Sequence, residues 1–260
     1  MSTQIEWDSE SYDKLSEPQF NWGMKLISRL ELRGDETVMD AGCGSGRLTA
    51  ELVFRLPRGH VVAVDYSENM LRTAHDRLSA HGDRVRFVHG DLADLPFVRE
   101  VDGIFSNAVF HWVPDHNAMF RSLFRSLKPG GWLLAQFGGK GNLARLRERL
   151  YAAGERAGYS QFLSGWRDAA HFEGDDVTRE RMANAGFTEI ETELYPSPVQ
   201  FSSMPEMLQF VKTVNAHQII SRLPHEIADG FLEEALAEAA HDNPPFTLDY
   251  VRLTVRARRR

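Results

Sequence analysis

Short apolar runs alternate with amphipathic segments from residue 37 onward, and this alternation limits the possible folds more than any other feature of the chain. Runs rich in Val, Ile, Leu and Phe predict buried strands at 37–41, 61–65, 84–88, 101–106 and 132–137. The segments between them predict helices at 46–56, 67–80 and 115–127, the last ended by the turn residues 128–131. Strands that alternate with helices form a parallel sheet through right-handed crossovers. We therefore predict an α/β fold, doubly wound, with a mostly parallel seven-stranded sheet and helices on both faces.

The flanking segments predict how the rest of the chain is organised. Residues 1–36 are expected to form an amino-terminal lid and helix segment, with the helix at 18–32. Residues 37–140 are expected to form the ligand-binding core, and residues 141–260 the carboxyl-terminal part of the same domain. In that last part the pattern predicts helices at 142–157 and 175–184 and a strand at 187–195.

A helical insertion is expected before the last strand. Helices at 204–216 and 225–240 fall in a predicted cap of about 200–243, and the final strand is expected at about 246–257. A helical pair inserted there would lie over the carboxyl edge of the sheet as a lid.

Composition excludes several classes of protein. The 260 residues carry a net charge of −7, which gives no electrostatic reason to expect a nucleic-acid partner, and the basic run at 256–260 is expected to be a solvated end. The single cysteine, Cys43, excludes an internal disulfide and a cysteine-based zinc site, and no metal is expected. No apolar run approaches the ~20 residues of a membrane span. We expect a cytoplasmic monomer or homodimer that binds no membrane.

The glycine loop after the first strand is the most informative motif. Gly42, Gly44 and Gly46 follow Asp40 and lead directly into a helix, where glycines allow backbone amides to approach a ligand. A dinucleotide fingerprint would need a further glycine where this chain has Arg47, so the pyrophosphate interpretation does not fit the spacing. The loop therefore predicts a ligand site of another kind at this end of the sheet.

Two acids extend the predicted site. Asp65 ends the second strand, where a carboxylate can accept hydrogen bonds from both hydroxyls of a ribose. Asp91 follows the third strand, where it can accept from an adenine amino group while the amide of Leu92 meets a ring nitrogen. The alternatives are a helix-capping aspartate at Asp65 and ordinary turn chemistry at Gly90-Asp91.

Taken in order, residues 38–46, 65–67 with Met70, 90–92 and 127–131 resemble the motif series of class I S-adenosylmethionine-dependent methyltransferases. The resemblance covers residues 37 to about 137 and implies a Rossmann-like fold and S-adenosylmethionine as the cofactor. Within this class, residues 106–116 are similar to trans-aconitate and juvenile hormone acid methyltransferases, which esterify carboxylic acids. The implied partner is therefore a small-molecule acceptor.

The resemblance also implies roles for individual residues. It places Asp40 and the loop from Gly42 to Gly46, with Cys43 contributing backbone only, against the methionyl part of the cofactor, and Asp65 on its ribose. The other cofactor contacts that it implies are Tyr66 and Met70 beside the adenine, Asp91 and Leu92 at the adenine edge, and Asn107 with Ala108 under the methionyl chain. Gln19 and Trp112 match positions that hold an acceptor carboxylate.

The catalytic role of His111 stays open at this point. A carboxylate acceptor is already ionised at neutral pH and needs no general base, so His111 would orient it. A phenol, hydroxyl or amine would need deprotonation, for which His111 is the natural base, and a packing role is the third possibility. Tyr12, with Trp7 and Trp22, is a candidate to close over the cofactor. Other functions considered are a non-catalytic methyltransferase-like subunit, a nicotinamide-dependent oxidoreductase and a nucleic-acid methyltransferase.

Overall fold

A computed structural model describes residues 15–260 and contains nine strands in that range. They are β1 (Thr37–Ala41), β2 (His60–Asp65), β3 (Val85–His89), β4 (Val101–Asn107), β5 (Leu127–Gly138), β6 (Thr188–Pro196), β7 (Val199–Gln200), β8 (Thr247–Leu248) and β9 (Val251–Arg258). The α-helices are α1 (Glu17–Ile27), α2 (Arg47–Arg55), α3 (Glu68–Leu78), α4 (His116–Ser126), α5 (Ala144–Gly154), α6 (Ser160–Leu163), α7 (Asp175–Ala185), α8 (Met204–Phe210), α9 (His217–Ile220) and α10 (His225–Leu236).

Seven strands form one sheet in the order β3-β2-β1-β4-β5-β9-β6. The first five are parallel, and β9 runs antiparallel between β5 and β6. Because β1, β2 and β4 are parallel neighbours, their carboxyl ends meet at one edge, which brings Asp40, Asp65 and Asn107 together. The predicted fold class, a mostly parallel seven-stranded sheet with helices around it, is confirmed.

Helix boundaries follow local chemistry. The Ser67 hydroxyl accepts a hydrogen bond from the Met70 amide at 3.3 Å, which caps α3 as predicted. Gly186, with φ of 105°, ends α7 in the left-handed conformation that favours glycine.

Three predicted elements differ from the structure. A turn is predicted at 128–131, but these residues lie within β5, which begins at Leu127, the predicted last residue of the helix; Leu127 pairs with Val101 ahead of an irregularity in the ladder. The predicted final strand at 246–257 is divided, because β8 pairs with β7 in a separate two-stranded sheet and a turn closed by the Tyr250 amide and the Leu248 carbonyl precedes β9. The predicted helix at 204–216 passes from α8 into a π-helical turn, Val211–Asn215.

Three apolar clusters hold these layers together. One face of the sheet packs against α4 and α7, and the other packs against α1, α2 and α3. The third cluster joins the inserted helices α8, α9 and α10 to α5 and α6, so residues 143–163 share a core with the segment predicted to be the cap. Within residues 15–260, no helix is long and apolar enough to cross a membrane.

Candidate functional site

A cleft of about 1070 Å³ lies at the carboxyl edge of the sheet. Its sheet side is formed by the ends of β1, β2 and β4, by the loops that follow β1, β2, β3 and β4, and by residues of α1. Its other side is formed by the loop after α6 and by residues of α9 and the turn beyond it. Ligand pockets commonly measure about 300–1,000 Å³, so this cleft has room for two small molecules side by side.

Most of the predicted site residues that the structure describes line this cleft. They are Gln19, Asp40, Gly42, Cys43, Gly44, Asp65, Tyr66, Met70, Asp91, Leu92, Asn107 and Trp112. Gly46 and His111 are not part of the lining. Tyr12 lies outside the described residues.

The amides of the glycine loop bond to protein acceptors. The Gly42 and Cys43 amides donate to the Val64 carbonyl oxygen at 2.8 and 2.9 Å, and the Gly44 amide donates to Asp65 Oδ2 at 2.8 Å. These bonds fasten the loop to the end of β2, and contact between the loop and a ligand stays a prediction. The loop still permits close approach, because a Cβ at Gly44 would have no atom within 4 Å on its open side.

Gly42 and Gly46 have structural reasons to be glycine. Gly42 has φ of 82°, and a Cβ there would lie 2.2 Å from Cγ2 of Val109. Gly46 has φ of 81° and caps α2, where a Cβ would lie 3.1 Å from the Ala74 Cα in α3. Gly46 therefore serves the packing of two helices beneath the cleft.

Asp65 is held in a fixed orientation. Its Oδ2 accepts from the Gly44 amide at 2.8 Å, and its Oδ1 accepts from the Ser67 amide at 2.9 Å.

Asp40 lies deeper, 2 % exposed, and its Oδ2 accepts from the Thr49 hydroxyl at 2.7 Å. Burial is the main reason that the pKa of Asp40 is raised to about 7, with repulsion from Asp65 adding to it and the Thr49 hydrogen bond opposing it. A cation bound beside Asp40 would remove this penalty on the carboxylate.

The lining has a surplus of acceptors. Asp91 Oδ1 accepts from the Ala93 amide at 2.8 Å, which fixes its exposed carboxylate at the mouth of the cleft. The Asn107 amide donates to the Gln19 carbonyl oxygen at 2.9 Å, and no donor among residues 15–260 satisfies the buried oxygens Asn107 Oδ1 and Gln19 Oε1. Three carboxylates and two amide oxygens therefore suit a cationic ligand rich in donors.

His111 packs behind the cleft. It belongs to the 3₁₀ turn Phe110–Trp112 after β4, which directs Trp112 to the cleft and buries His111 against the Phe172 ring, with centroids 5.5 Å apart. Its Nδ1 accepts from the Gly138 amide at 3.3 Å. Burial, then the charges of Arg252 and His116, lower its pKa well below the usual value, so the imidazole is neutral. The geometry thus gives the packing role and does not bring His111 to a ligand.

The cap side of the cleft contains residues that the sequence did not single out as site residues. They are Phe162, Ser164, Gly165, Trp166, Arg167, Ala169, Gln218, Ser221 and Arg222. His217 also lies there, and burial lowers its pKa to about 4. These residues lie between the helices predicted at 142–157, 175–184, 204–216 and 225–240, so no sequence pattern indicated that they line the cleft. The aromatic candidate Trp22 instead packs edge-on against Tyr250, with centroids 5.0 Å apart.

Comparison with known proteins agrees with this geometry. Residues 38–131 match a family described as "Methyltransferase domain", and that stretch contains the glycine loop and all three acids of the cleft. The fold resembles the crystal structure of the YcgJ protein of Bacillus subtilis, with a TM-score of 0.61 at 20 % identity over 93 % of this chain and 98 % of that one. It also resembles the Haemonchus contortus phosphoethanolamine N-methyltransferase 2 solved with S-adenosyl-L-methionine, with a TM-score of 0.62 at 17 % identity over 97 % of this chain and 57 % of that one. Residues 38–131 therefore resemble a methyltransferase domain, and the likeness to the solved structures shows a Rossmann-like fold.

Within this class, the chain is similar to trans-aconitate 2-methyltransferases. It is 40 % identical to that of Azoarcus sp. (strain BH72) over 130 residues, which are 50 % of each protein. It is 34 % identical to that of Methylobacterium radiotolerans over 148 residues, which are 57 % of this chain and 55 % of the relative. The matched region thus spans about half the length of these curated relatives.

The glycine loop can be tested with a matched pair of substitutions. Gly42→Ala is expected to destabilise the protein by about 3 kcal/mol, because the alanine would be held in a strained left-handed backbone conformation and its Cβ would clash with Val109. Gly44→Ala is expected to lower the free energy of unfolding by only about 1 kcal/mol. Its φ of 53° lies in the left-handed region, but the added Cβ would have no atom within 4 Å. Urea unfolding of both variants measures the difference, and equal destabilisation would contradict the packing account of Gly42.

The raised pKa of Asp40 predicts a pH-dependent stability difference. Between the ordinary value near 3.8 and about 7 the folded state binds the proton more tightly than the unfolded chain, so the stability contributed by Asp40 falls as the pH rises through this interval. Asp40→Asn removes the effect and is expected to stabilise the ligand-free protein relative to wild type by an amount that grows between about pH 4 and pH 7 and levels off above it.

The stability difference between Asp40→Asn and wild type is expected to grow by up to about 1.4 kcal/mol per pH unit in this interval. Thermal or urea unfolding across the pH range measures it, with Asp83→Asn, an exposed acid, as the control that should show no such trend. A difference that is constant with pH would show that Asp40 is not a buried titrating carboxyl.

Proposed function

We propose that this protein is an S-adenosylmethionine-dependent methyltransferase that methylates an oxygen of a small carboxylic acid. The observation that carries the proposal is the pair of acids at one edge of the sheet, Asp40 and Asp65, with the open glycine loop between them, inside a cleft large enough for cofactor and acceptor. The matched methyltransferase domain and the named relatives supply independent support.

The lining residues fit this cofactor in charge and in hydrogen bonding. When bound, S-adenosylmethionine supplies a methyl group already activated by attachment to a positively charged sulfur. Asp65 would accept from the two ribose hydroxyls, which together form the kind of donor pair that a fixed carboxylate holds. Asp40, whose charge is costly without a partner, would pair with the ammonium of the methionyl part, and Asn107 would add its buried amide oxygen there.

The adenine would lie at the side of the cleft formed after β2 and β3. Tyr66 is partly exposed and Met70 is buried, so together they offer an aromatic surface and an apolar floor to a flat ring. Leu92 is buried beside them, and Asp91 offers its fixed carboxylate to the amino group at the edge of the adenine. Gly42 and Cys43 contribute backbone to this half of the cleft.

The acceptor half differs from the cofactor half in its charges. All the acids of the lining lie in the cofactor half, where Arg47, the one arginine of that half among the described lining residues, is paired with Glu17 at 3.0 Å. The exposed guanidinium groups of Arg167 and Arg222, in contrast, lie on the cap side. Trp112 and Trp166 provide aromatic surface between them. Such a surface attracts an anionic acceptor with a flat or apolar body, because guanidinium groups bind carboxylates through paired hydrogen bonds.

A carboxylate acceptor also suits the absence of a strong base. His217 is the histidine among the described lining residues. Because its pKa is about 4, it is a poor base for removing a proton from a phenol or an ammonium group. An acid with an ordinary pKa of ~4 is already ionised and needs only to be positioned. Trp112, from the cleft wall, and Gln19, from the buried face of α1, would orient it. Positioning at near-attack distance contributes ~7–11 kcal/mol of barrier reduction in such reactions.

Three further expectations belong to this proposal. The acceptor is a small molecule, as the name of the relatives suggests, and neither nucleic acid nor metal is required. Within residues 15–260 no cluster of His, Cys, Asp and Glu is arranged to hold a metal ion. The cytoplasmic location and the monomeric or homodimeric state stay predictions from the sequence.

A methyl-transfer assay read by mass spectrometry tests the proposal. The protein is incubated with S-adenosylmethionine and separate panels of small carboxylic acids, including trans-aconitate, phenols and amines. We expect a mass gain of one methyl on an acid. Asp65→Ala is expected to lower kcat/KM by about 100-fold or more through weaker cofactor binding, because two hydrogen bonds to a charged group are lost.

Asp83→Asn is the control for a change of charge at an exposed acid, and circular dichroism verifies that each variant is folded. Methylation of phenols or amines alone would overturn the carboxylate assignment but keep the methyltransferase. Absence of both product and binding of S-adenosylhomocysteine would overturn the proposed function itself.

A further inference from the structure

A second cleft lies at the opposite edge of the sheet, where β1, β4 and β5 begin and β9 ends. We call it the basal cleft; its volume is about 400 Å³. Its lining residues are Arg29, Leu30, Glu31, Arg33, Glu36, Asp102, Lys128, Pro129, Gly130, Gly131, Trp132, Leu133, Leu134, Arg256 and Arg258. In a chain of net charge −7, five cationic side chains around one small cleft are a local concentration of positive charge.

The acids of the basal cleft are already bonded within the protein. Asp102 accepts from Lys128 Nζ at 2.9 Å and from the Thr37 amide at 2.8 Å. Glu36 is buried and accepts from three successive backbone amides, those of residues 33–35. These bonds pair Asp102 with Lys128 and satisfy Glu36, so Glu31 remains as the exposed acid of the lining.

Three arginines remain available to a ligand. Arg29 and Arg256 are exposed and make no ion pair with any residue in the described range 15–260. Arg258 donates only a long hydrogen bond of 3.4 Å to the Gly130 carbonyl oxygen. Arg256 and Arg258 alternate along β9 and lie opposite Leu134 and Trp132 of β5, so their side chains leave the same face of the sheet.

The Trp132 ring forms a preformed wall of this cleft. Trp132 pairs with Gly103 of β4, and a Cβ on Gly103 would lie 2.1 Å from the indole. The glycine in the middle of a strand therefore makes room for the ring, although glycine weakens strands. The half-buried indole thus stands beside Arg258 as a fixed aromatic surface.

We propose that the basal cleft binds a small polyanion, with a diphosphate group held by Arg29, Arg256 and Arg258 beside the Trp132 ring. Guanidinium groups pair with phosphate oxygens through two parallel hydrogen bonds, and three of them match the charge of a diphosphate. The volume suffices for a diphosphate alone or for one that carries a nucleoside. This site is separate from the proposed methyl-transfer cleft and does not depend on that function.

The test is a titration with pyrophosphate at ~150 mM salt, which suppresses long-range attraction between exposed charges. Calorimetry and tryptophan fluorescence are recorded on the full chain. We expect saturable binding and a fluorescence change that is absent in Trp132→Phe. The chain has five tryptophans, so this variant assigns the signal to the basal cleft.

Matched variants locate the cations. Arg256→Gln and Arg29→Gln are each expected to weaken pyrophosphate binding about tenfold, whereas Arg121→Gln, an exposed arginine of α4 outside the cleft, should change it less than twofold. Affinities unchanged in both cleft variants, or no saturable binding up to about 10 mM pyrophosphate, would overturn the proposal.

Two further ligands identify the source of the diphosphate. Adenosine diphosphate and adenosine are titrated with excess S-adenosylhomocysteine present, so that adenine binding in the methyl-transfer cleft does not contribute. Tighter binding of adenosine diphosphate than of pyrophosphate supports a nucleotide, and equal binding supports the free diphosphate. Binding of adenosine that equals that of its diphosphate would contradict recognition of a polyanion.

Discussion

The Asp65 carboxylate is the contact on which the rest of the site depends. It accepts one amide from the glycine loop and one from the residue that caps α3, and so joins the ends of two strands and the start of a helix. Because these amides are used within the protein, the loop is held in its shape before any ligand arrives. Preorganisation of this kind lowers the entropy lost on binding, and it leaves the open side of Gly44 facing the cleft.

The cleft joins two surfaces with different origins. The sheet edge supplies fixed acids and amide oxygens from β1, β2 and β4, whose parallel register brings their ends together. The cap side supplies arginines and aromatic rings from the loop after α6 and from the turn after α9. A cationic cofactor and an anionic acceptor would therefore each meet the complementary half, and the methyl group would pass between them with little demand for proton transfer.

The sequence predicted most of the sheet and most of the residues at the sheet side of the cleft, because strand ends, glycines and acids are local signals. Alternating apolar runs located β1 without error, and Ser67 marked the start of α3. The burial of His111 could not be predicted, because it depends on the contact of a 3₁₀ turn with Gly138 and Phe172, which are distant in sequence. Arg222 was missed because it lies in a turn between the helices predicted at 204–216 and 225–240, where no local pattern indicates contact with the cleft. The division of the last strand depended on pairing between β7 and β8, a contact that no local pattern reports.

The most direct test of the account is a crystal structure of the protein with S-adenosylhomocysteine. The account predicts the ribose hydroxyls within about 2.5–3.0 Å of the Asp65 carboxylate oxygens, the adenine beside Tyr66 and Met70, and the amino group of the ligand next to Asp40. A ligand bound elsewhere, or one in this cleft that makes no contact with Asp65, would contradict the assignment of the site.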